Sequence, residues 1–185
     1  MTQPRDKSLR ELQREFQLAG NNSMPIAGLI CWSALGVAAL FISERAAGTG
    51  ALYIMLGVLP LAWALERARG RNLFSGADHP MTKLFLQSIA GLVFFIPIAV
   101  IAANVSGDAT LVVLGMAVAV GLIWIPFGWA ADDPVGLRRG IGQAIGCYAA
   151  YLFAPDAWKG SAICAVVVLG YVYVLSAGKK LGETE

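Results

Sequence analysis

Charged residues are scarce in this sequence, and none of them falls in its long apolar runs. Of its 185 residues only 14% are charged, 57% are hydrophobic, and the mean hydropathy is +0.65. A water-soluble domain carries roughly 25% charged residues, whereas a disordered chain combines low hydrophobicity with high net charge. Both classes are therefore excluded, and the composition predicts an integral membrane protein.

Chemistry-bearing residue types are also few. The sequence has one histidine, His79, and three cysteines, which all fall in apolar runs without a CxxC spacing. This pattern favours neither a disulfide framework nor a metal site. Acid-base catalysis needs converging titratable groups, and the apolar runs contain none. The sequence therefore predicts no cofactor and no catalytic residues, and it does not favour an enzyme.

Six segments contain no Asp, Glu, Lys or Arg. They reach or approach the roughly 20 apolar residues that a helix needs to cross a bilayer, and they cover residues 24–43, 49–65, 84–105, 109–131, 140–153 and 160–178. Their short outer connections predict three antiparallel hairpins. The predicted fold is all-α, an integral membrane bundle of six transmembrane helices. Its predicted parts are an N-terminal tail at 1–23, a transmembrane domain at 24–178 and a C-terminal tail at 179–185.

The positive charges are sorted between the two predicted sides of this bundle. One side holds only Arg45 and Lys159 of the 14 Lys and Arg residues. The other side holds Arg5, Lys7, Arg10, Arg14, Arg67, Arg69, Arg71, Lys83, Arg138, Arg139, Lys179 and Lys180. Because cytoplasmic loops are enriched in Lys and Arg, the pattern predicts a multi-pass protein of the cell inner membrane with both termini in the cytoplasm.

A short amphipathic helix is predicted over residues 8–19. Ser8 and Glu11 have the spacing of a capping box, and Gly20 supplies a stop. The apolar stripe of this segment is Leu9, Leu12 and Phe16. Such a helix either lies on the cytoplasmic membrane surface or packs on the cytoplasmic loops, and both interpretations stay open.

Polar and aromatic side chains inside the predicted spans are the candidates for a solute cavity. A side-chain amide in hydrocarbon needs a partner, so Gln87 and Gln143 are expected to point inward, either lining a cavity or bridging helices. Trp32 and Trp124 lie deeper than the interfacial tryptophans, and a buried indole N–H needs an acceptor. The candidate cavity-lining residues are Trp32, Gln87, Trp124, Gln143 and Tyr148.

Small residues and a repeat indicate how the hairpins pack. Gly136 and Gly140, then Gly142 and Gly146, are spaced for close helix contact in or before the fifth span, within the bundle or across a dimer interface. Residues 26–30 (IAGLI) resemble residues 89–93 (IAGLV), and residues 60–64 (PLAWA) resemble residues 126–130 (PFGWA). The matches indicate that the first two hairpins are either duplicated or alike by chance.

Several short stretches carry a resemblance to a known family. They are Arg14 ahead of Gly20, the GLICW run at 28–32, the stretch 57–60, and Asn72 with Leu73. Together they resemble a domain-of-unknown-function family of small, uncharacterised bacterial membrane proteins. The resemblance implies a multi-span architecture and no established activity, so no site residue carries over. His79 and Pro80 depart from its pattern by lengthening a polar loop.

Two hypotheses for function remain. One is a small transporter or permease-like protein for a neutral or apolar solute, indicated by repeated hairpins, inward amides and proline-broken helices. The other is a non-catalytic structural or regulatory membrane protein that acts through helix packing or oligomerisation. The expected partners are the lipid bilayer, anionic headgroups at the cytoplasmic arginines and a second copy of the chain, but not nucleic acid.

Overall fold

The structure is a computed structural model that describes residues 7–20, 22–71 and 78–177. Over these residues it is all-helical. The helices are α1 (Leu9–Ala19), α2 (Ser23–Ala38), α3 (Glu44–Ala68), α4 (Pro80–Val93), α5 (Phe95–Ser106), α6 (Thr110–Ala130), α7 (Pro134–Phe153) and α8 (Lys159–Ala177), with a 3₁₀ turn at Asp156–Trp158. Residues 1–6 and 21 of the predicted N-terminal tail, the loop residues 72–77, residue 178 and the predicted C-terminal tail at 179–185 lie outside the described part.

Helix α6 forms the centre of the bundle. It packs against α3, α4, α5, α7 and α8, and α2 closes the bundle by packing on α3 and α8. The three short connections meet at one end, where Tyr151 donates a hydrogen bond of 2.6 Å to Asp108 and Ala39 approaches Gly160. Helix α1, the ends of α3 and α6, and the starts of α4 and α7 lie at the opposite end, which is the predicted cytoplasmic end.

Helix α1 begins at the capping box that the sequence predicts. The Ser8 hydroxyl accepts from the Glu11 N–H, and the Glu11 carboxylate accepts from the Ser8 N–H at 2.7 Å. Phe16 is buried against Phe85 and Phe127, and Gln13 Nε2 donates 2.7 Å to the Trp129 carbonyl. This helix is therefore attached to the first half of α4 and the C-terminal end of α6.

Pro60 and Pro97 lie close to breaks in the helices. Helix α3 is bent by 46° between Glu44–Ile54 and Leu56–Ala68, and the break lies about one turn before Pro60. The boundary between α4 and α5 falls at Phe94, three residues before Pro97. Proline removes the hydrogen bond to the carbonyl four residues earlier and clashes with it. Helix α6 nevertheless runs without a break past Pro126.

Three described segments are long and apolar enough to cross a membrane: Pro80–Ser106, Thr110–Ala130 and Asp156–Ala177, and bent α3 makes a fourth if it counts as one span. Helix α2, with 16 residues, ends at Ala38 rather than at 43. Helix α7 starts at Pro134, six residues before the predicted start of the fifth span. The chain is thus helical with three or four candidate spans, and six spans stay a prediction.

Glycines bring the main chains of α6 and α7 into contact. A Cβ at Gly128 would lie 2.7 Å from the Cα of Gly136, and a Cβ at Gly136 would overlap the Trp124 carbonyl oxygen. Gly140 similarly packs on Ile125 of α6. The small residues predicted to give close contact therefore pack inside the bundle, and Gly142 on the same helix has open space beside it.

Candidate functional site

A buried arginine occupies the N-terminal half of α7. The Asp133 carboxylate caps this helix by accepting from the Val135 N–H at 2.9 Å, and Pro134 takes the first helical position, where a missing N–H is tolerated. Because the helix starts this early, Arg138 and Arg139 both lie on it. Arg138 is exposed, whereas Arg139 is only 2% exposed.

The guanidinium of Arg139 lies between two aromatic rings. Its Cζ atom is 4.0 Å from the centre of the Trp124 ring and 3.9 Å from that of Tyr171, and the two rings are nearly perpendicular at 84°. Aromatic faces attract a cation through their quadrupoles, by about 0.5 to 2 kcal/mol for each ring. Helices α6 and α8 thus each supply one ring to the cation of α7.

Gln143, one turn further along α7, holds the other end of the guanidinium. Its Oε1 accepts from Arg139 Nε at 3.2 Å, and its Nε2 donates to the Ala117 carbonyl of α6 at 2.8 Å. Glycines leave room for these side chains, since a Cβ at Gly121 would lie 3.3 Å from Gln143 and one at Gly170 would lie 2.7 Å from its Oε1. The orientation of Arg139 is therefore set by side chains and backbone of three helices. We call Arg139, Gln143, Trp124 and Tyr171 the Arg139 site.

The terminal nitrogens of Arg139 have no hydrogen-bond partner. Nη1 and Nη2 are both buried and make no hydrogen bond within the described part of the chain, and none of the described ion pairs involves Arg139. Leaving a buried donor unsatisfied costs about 1 to 3 kcal/mol, and more for a charged group. The Tyr171 side chain interacts electrostatically with this guanidinium but does not satisfy Nη1 or Nη2, so N–H bonds of a buried cation stay available for an acceptor.

The structure brings two of the five predicted cavity residues together at this site, Trp124 and Gln143. Trp32 is fully buried in the core, and its indole Nε1 has no partner in the described chain. Gln87 is exposed on α4, and Tyr148 is 51% exposed on α7. Neither of these two belongs to the Arg139 site.

Trp32 lies next to the Arg139 site along the bundle axis, on the side of the short connections. Helices α2 and α8 run antiparallel in a constant register, with Gly28 beside Tyr171, Gly36 beside Cys164 and Ala39 beside Gly160. Trp32 falls midway between the first two of these contacts. The Cα of Trp32 thus lies about one helical turn from Gly28, towards the end with the short connections.

A second buried polar group joins the start of α2 to the end of α3. Glu66 is 1% exposed and accepts a short hydrogen bond from Ser23 Oγ. Arg69 Nη1 donates to Ser23 Oγ at 2.8 Å and lies 3.6 Å from Glu66 Oε1. This carboxylate is paired and hydrogen-bonded, so it has a structural explanation that Arg139 lacks.

The single histidine connects α1 to the start of α4. His79 Nε2 lies 3.3 Å from Glu15 Oε2, and its Nδ1 accepts from the Met81 N–H at 3.3 Å. Lys7 also bonds Glu15, and this hydrogen bond together with that from His79 lowers the pKa of the Glu15 carboxyl. No group of three or more His, Cys, Asp or Glu side chains suited to a metal ion occurs in the described ranges.

A cavity of about 200 Å³ opens at the end with the short connections. Its walls are mostly small and apolar, and two carboxylates, Glu44 and Asp156, lie in its lining. Lys159 Nζ donates to Asp156 at 2.6 Å. Ser161 follows cavity-lining Gly160, and its buried hydroxyl has no partner in the described chain.

The sequence analysis missed Arg139 and Glu66 because both stand just outside the charge-free segments. Arg139 precedes the segment 140–153, and Glu66 follows the segment 49–65. Both were assigned to cytoplasmic connections, yet α7 and α3 extend past those limits and bury them. The spacing of four between Arg139 and Gln143 would have placed the two on one helix face.

Comparison with known proteins gives a family but no activity. No curated protein and no solved structure matches the chain. A family model matches residues 9–177, which include every described helix. The chain belongs to DUF7010, a family of unknown function.

Proposed function

We propose that this chain is a six-pass transport protein of the cell inner membrane, with both termini in the cytoplasm, and that a small solute binds at the Arg139 site. Two observations support this position in the membrane. The structure has three or four candidate spans, and twelve Lys and Arg residues lie on the predicted cytoplasmic side against two on the other. The single observation that carries the transport function is the buried Arg139 with its unused Nη1 and Nη2.

Burying the charge of Arg139 in a membrane bundle costs free energy, so it needs a physical explanation. An ionisable group at membrane depth costs at least about 2.5 to 3.5 kcal/mol on insertion scales, and such groups mark substrate or ion pathways. Packing alone would favour an apolar residue at position 139, because a buried ionic group is often replaced without loss by a hydrophobic one. A solute that binds Arg139 supplies the missing acceptor.

Uptake into proteoliposomes tests transport. Purified protein would be reconstituted and offered radiolabelled neutral solutes (glycerol, alanine) and anionic solutes (lactate, phosphate), with valinomycin and potassium present so that charge movement does not limit uptake. We expect at least one solute to enter faster than into empty liposomes, and Arg139→Gln to abolish the difference while exposed Arg138→Gln retains it. Uptake equal to that of empty liposomes for every solute would refute transport.

The exposed apolar surface of α4 and α5 favours a second candidate, a structural membrane protein that oligomerises. None of the most apolar stretch of this segment is buried in the bundle, and Phe94 and Val105 are 77% and 84% exposed. In a membrane this surface meets lipid or a second copy of the chain. A stable dimer in lipid nanodiscs, broken by Phe94→Ala and combined with no uptake, would favour this candidate.

Exposed cytoplasmic arginines would meet the headgroups. Arg10, Arg14, Arg71 and Arg138 are exposed at the end that carries α1, and each basic residue near an anionic leaflet contributes about 1 kcal/mol. Flotation with vesicles of anionic and of neutral lipid would measure this preference.

A further inference from the structure

We infer that the Arg139 site binds a small monovalent anion that presents two oxygens, namely the carboxylate of a small organic acid. This inference names the solute class and so rests on the proposed function. It replaces the neutral or apolar solute that the sequence predicts, because that prediction assumed helices without charge.

The donor geometry selects an acceptor with two oxygens. The rings of Trp124 and Tyr171 lie against the guanidinium from two directions, and its Nε is bonded to Gln143. What is left is the edge that carries Nη1 and Nη2. A carboxylate accepts two parallel N–H bonds from a guanidinium edge, and a neutral hydroxyl cannot match both nitrogens at once.

The charge selects a monovalent ligand. Arg139 is the single charged side chain of the site, and the described residues place no carboxylate against it. One negative charge would cancel this buried positive charge, whereas a phosphate dianion would leave a net negative charge in an apolar surrounding. The carboxylate therefore fits the site better than a phosphate group.

The packing selects a small ligand. Both Nη atoms are buried. Tyr171 packs directly on α2 at Gly28, where a Cβ would overlap its ring. Because the guanidinium is enclosed in this way, we expect its ligand to be small. Formate and acetate are therefore the probes of choice.

Thermal unfolding of the detergent-purified full chain tests the inference. Sodium formate, acetate, chloride and phosphate would be compared at equal ionic strength and pH 7. At ten times its dissociation constant, formate is expected to raise the unfolding midpoint by about 3 to 6 °C over chloride. Arg139→Gln should abolish this shift, and Arg138→Gln should retain it.

Arg139→Lys serves as a second variant that keeps the charge. It is expected to weaken formate binding on the order of tenfold or more, because a lysine loses the flat two-nitrogen edge. If Arg139→Gln does not fold, two measurements still test the inference. They are the formate shift of Arg139→Lys and the order in which the four anions raise the unfolding midpoint of the wild-type chain.

Several outcomes would overturn the inference: equal midpoints in all four salts, a formate shift that survives Arg139→Gln, or a larger shift with phosphate. A shift that appears only after removal of residues 178–185 would show that a carboxylate of the chain itself occupies the site, and would also overturn it. A formate shift without uptake into proteoliposomes refutes transport alone. Uptake of neutral solutes without a formate shift refutes the anion site alone.

Discussion

Gly28 of α2 lies directly against the ring of Tyr171 of α8, so close that a methyl group at position 28 would overlap the phenol. The same ring also lies against the guanidinium of Arg139. A glycine on α2 therefore sets the position of an aromatic ring that covers a buried cation. The contact links the packing of α2 with α8 to the geometry of the Arg139 site.

Gly28→Ala is expected to destabilise the protein by about 1 to 3 kcal/mol, because the Tyr171 ring must move away from the new methyl group. It should also reduce the formate shift. The measurement is the midpoint of unfolding, with and without formate. The matched control is Gly91→Ala in the similar stretch 89–93, where nothing lies within 4 Å of a new Cβ. Equal effects of the two substitutions would contradict the packing argument.

Gly136→Ala is expected to destabilise the protein by about 1 to 3 kcal/mol. Its Cβ would collide with the Trp124 carbonyl of α6, and a backbone atom cannot move aside as a side chain can. Gly142→Ala on the same helix meets open space and should stabilise by about 0.5 to 1 kcal/mol through helix propensity. Unfolding titrations of both variants measure the difference. A neutral Gly136→Ala would show that α6 and α7 are not in close contact.

Ser23→Ala is expected to destabilise by about 1 to 3 kcal/mol, because it removes a hydrogen-bond donor from the buried Glu66 carboxylate. Glu66→Gln in the same background should recover part of the loss, since a neutral amide needs fewer donors. The control is Ser88→Ala, whose hydroxyl bonds only its own helix at Leu84 in the contacts described. A double-mutant cycle gives the coupling energy, and zero coupling would contradict the contact.

Acidification is expected to loosen α1. Hydrogen bonds from the Ser8 N–H and hydroxyl lower the pKa of Glu11, and the Lys7 hydrogen bond lowers the pKa of Glu15. Both carboxylates thus stabilise the folded helix above the ordinary glutamate pKa of about 4.3, and this contribution is lost as the pH falls through their lower folded values. Hydrogen-exchange protection factors of the α1 amides should fall below about pH 4.

Glu15→Gln separates the α1 effect from general acid unfolding. Its α1 helix should have lower protection at pH 7 than that of the wild type and should respond less to acid. The amides of α6 report on the rest of the bundle and should stay protected over the same range. Simultaneous loss of protection in α1 and α6 would contradict a local effect.

Cysteine labelling tests the six-span topology. Single cysteines at 45 and 159 are expected to react with an impermeant maleimide from the periplasmic side only, and those at 71 and 138 from the cytoplasmic side only. Native Cys147 and Cys164 are buried and Cys31 is partly buried. The wild-type chain, which has only these three cysteines, therefore gives the background labelling. Labelling of all four positions from one side would contradict six spans.

The sequence indicates the local structure of this chain well where one residue type has one physical role. The capping box of Ser8 and Glu11 marks the start of α1 to the residue. Pro60 and Pro97 mark the breaks in α3 and before α5, since each removes a hydrogen bond. Pro126 has no such consequence, because the packing of α6 on several neighbours holds that helix together.

The Arg139 site could not be predicted in the same way. Arg138 and Arg139 are chemically identical in the sequence, and charge counting places both in a connection. On a helix, successive residues point about 100° apart, so one faces outward and its neighbour faces α6 and α8. Which of the two is buried depends on the close approach of Gly128 to Gly136, and that contact joins residues of different helices.

The glycine contact between α6 and α7 also determines which parts of the molecule can move. Two helices in backbone contact have little freedom to slide or rotate, because any shift brings main-chain atoms into collision. The pair α4–α5 packs mainly on α6 through side chains, such as Ala99 of α5 against Gly115, and the bent helix α3 approaches the main chain of its neighbour at one end, where Gly48 lies near the Ala109 carbonyl. Any opening of the bundle that admits a ligand to Arg139 is therefore expected to displace the other helices around a rigid α6–α7 unit, with the arginine carried on the stationary part.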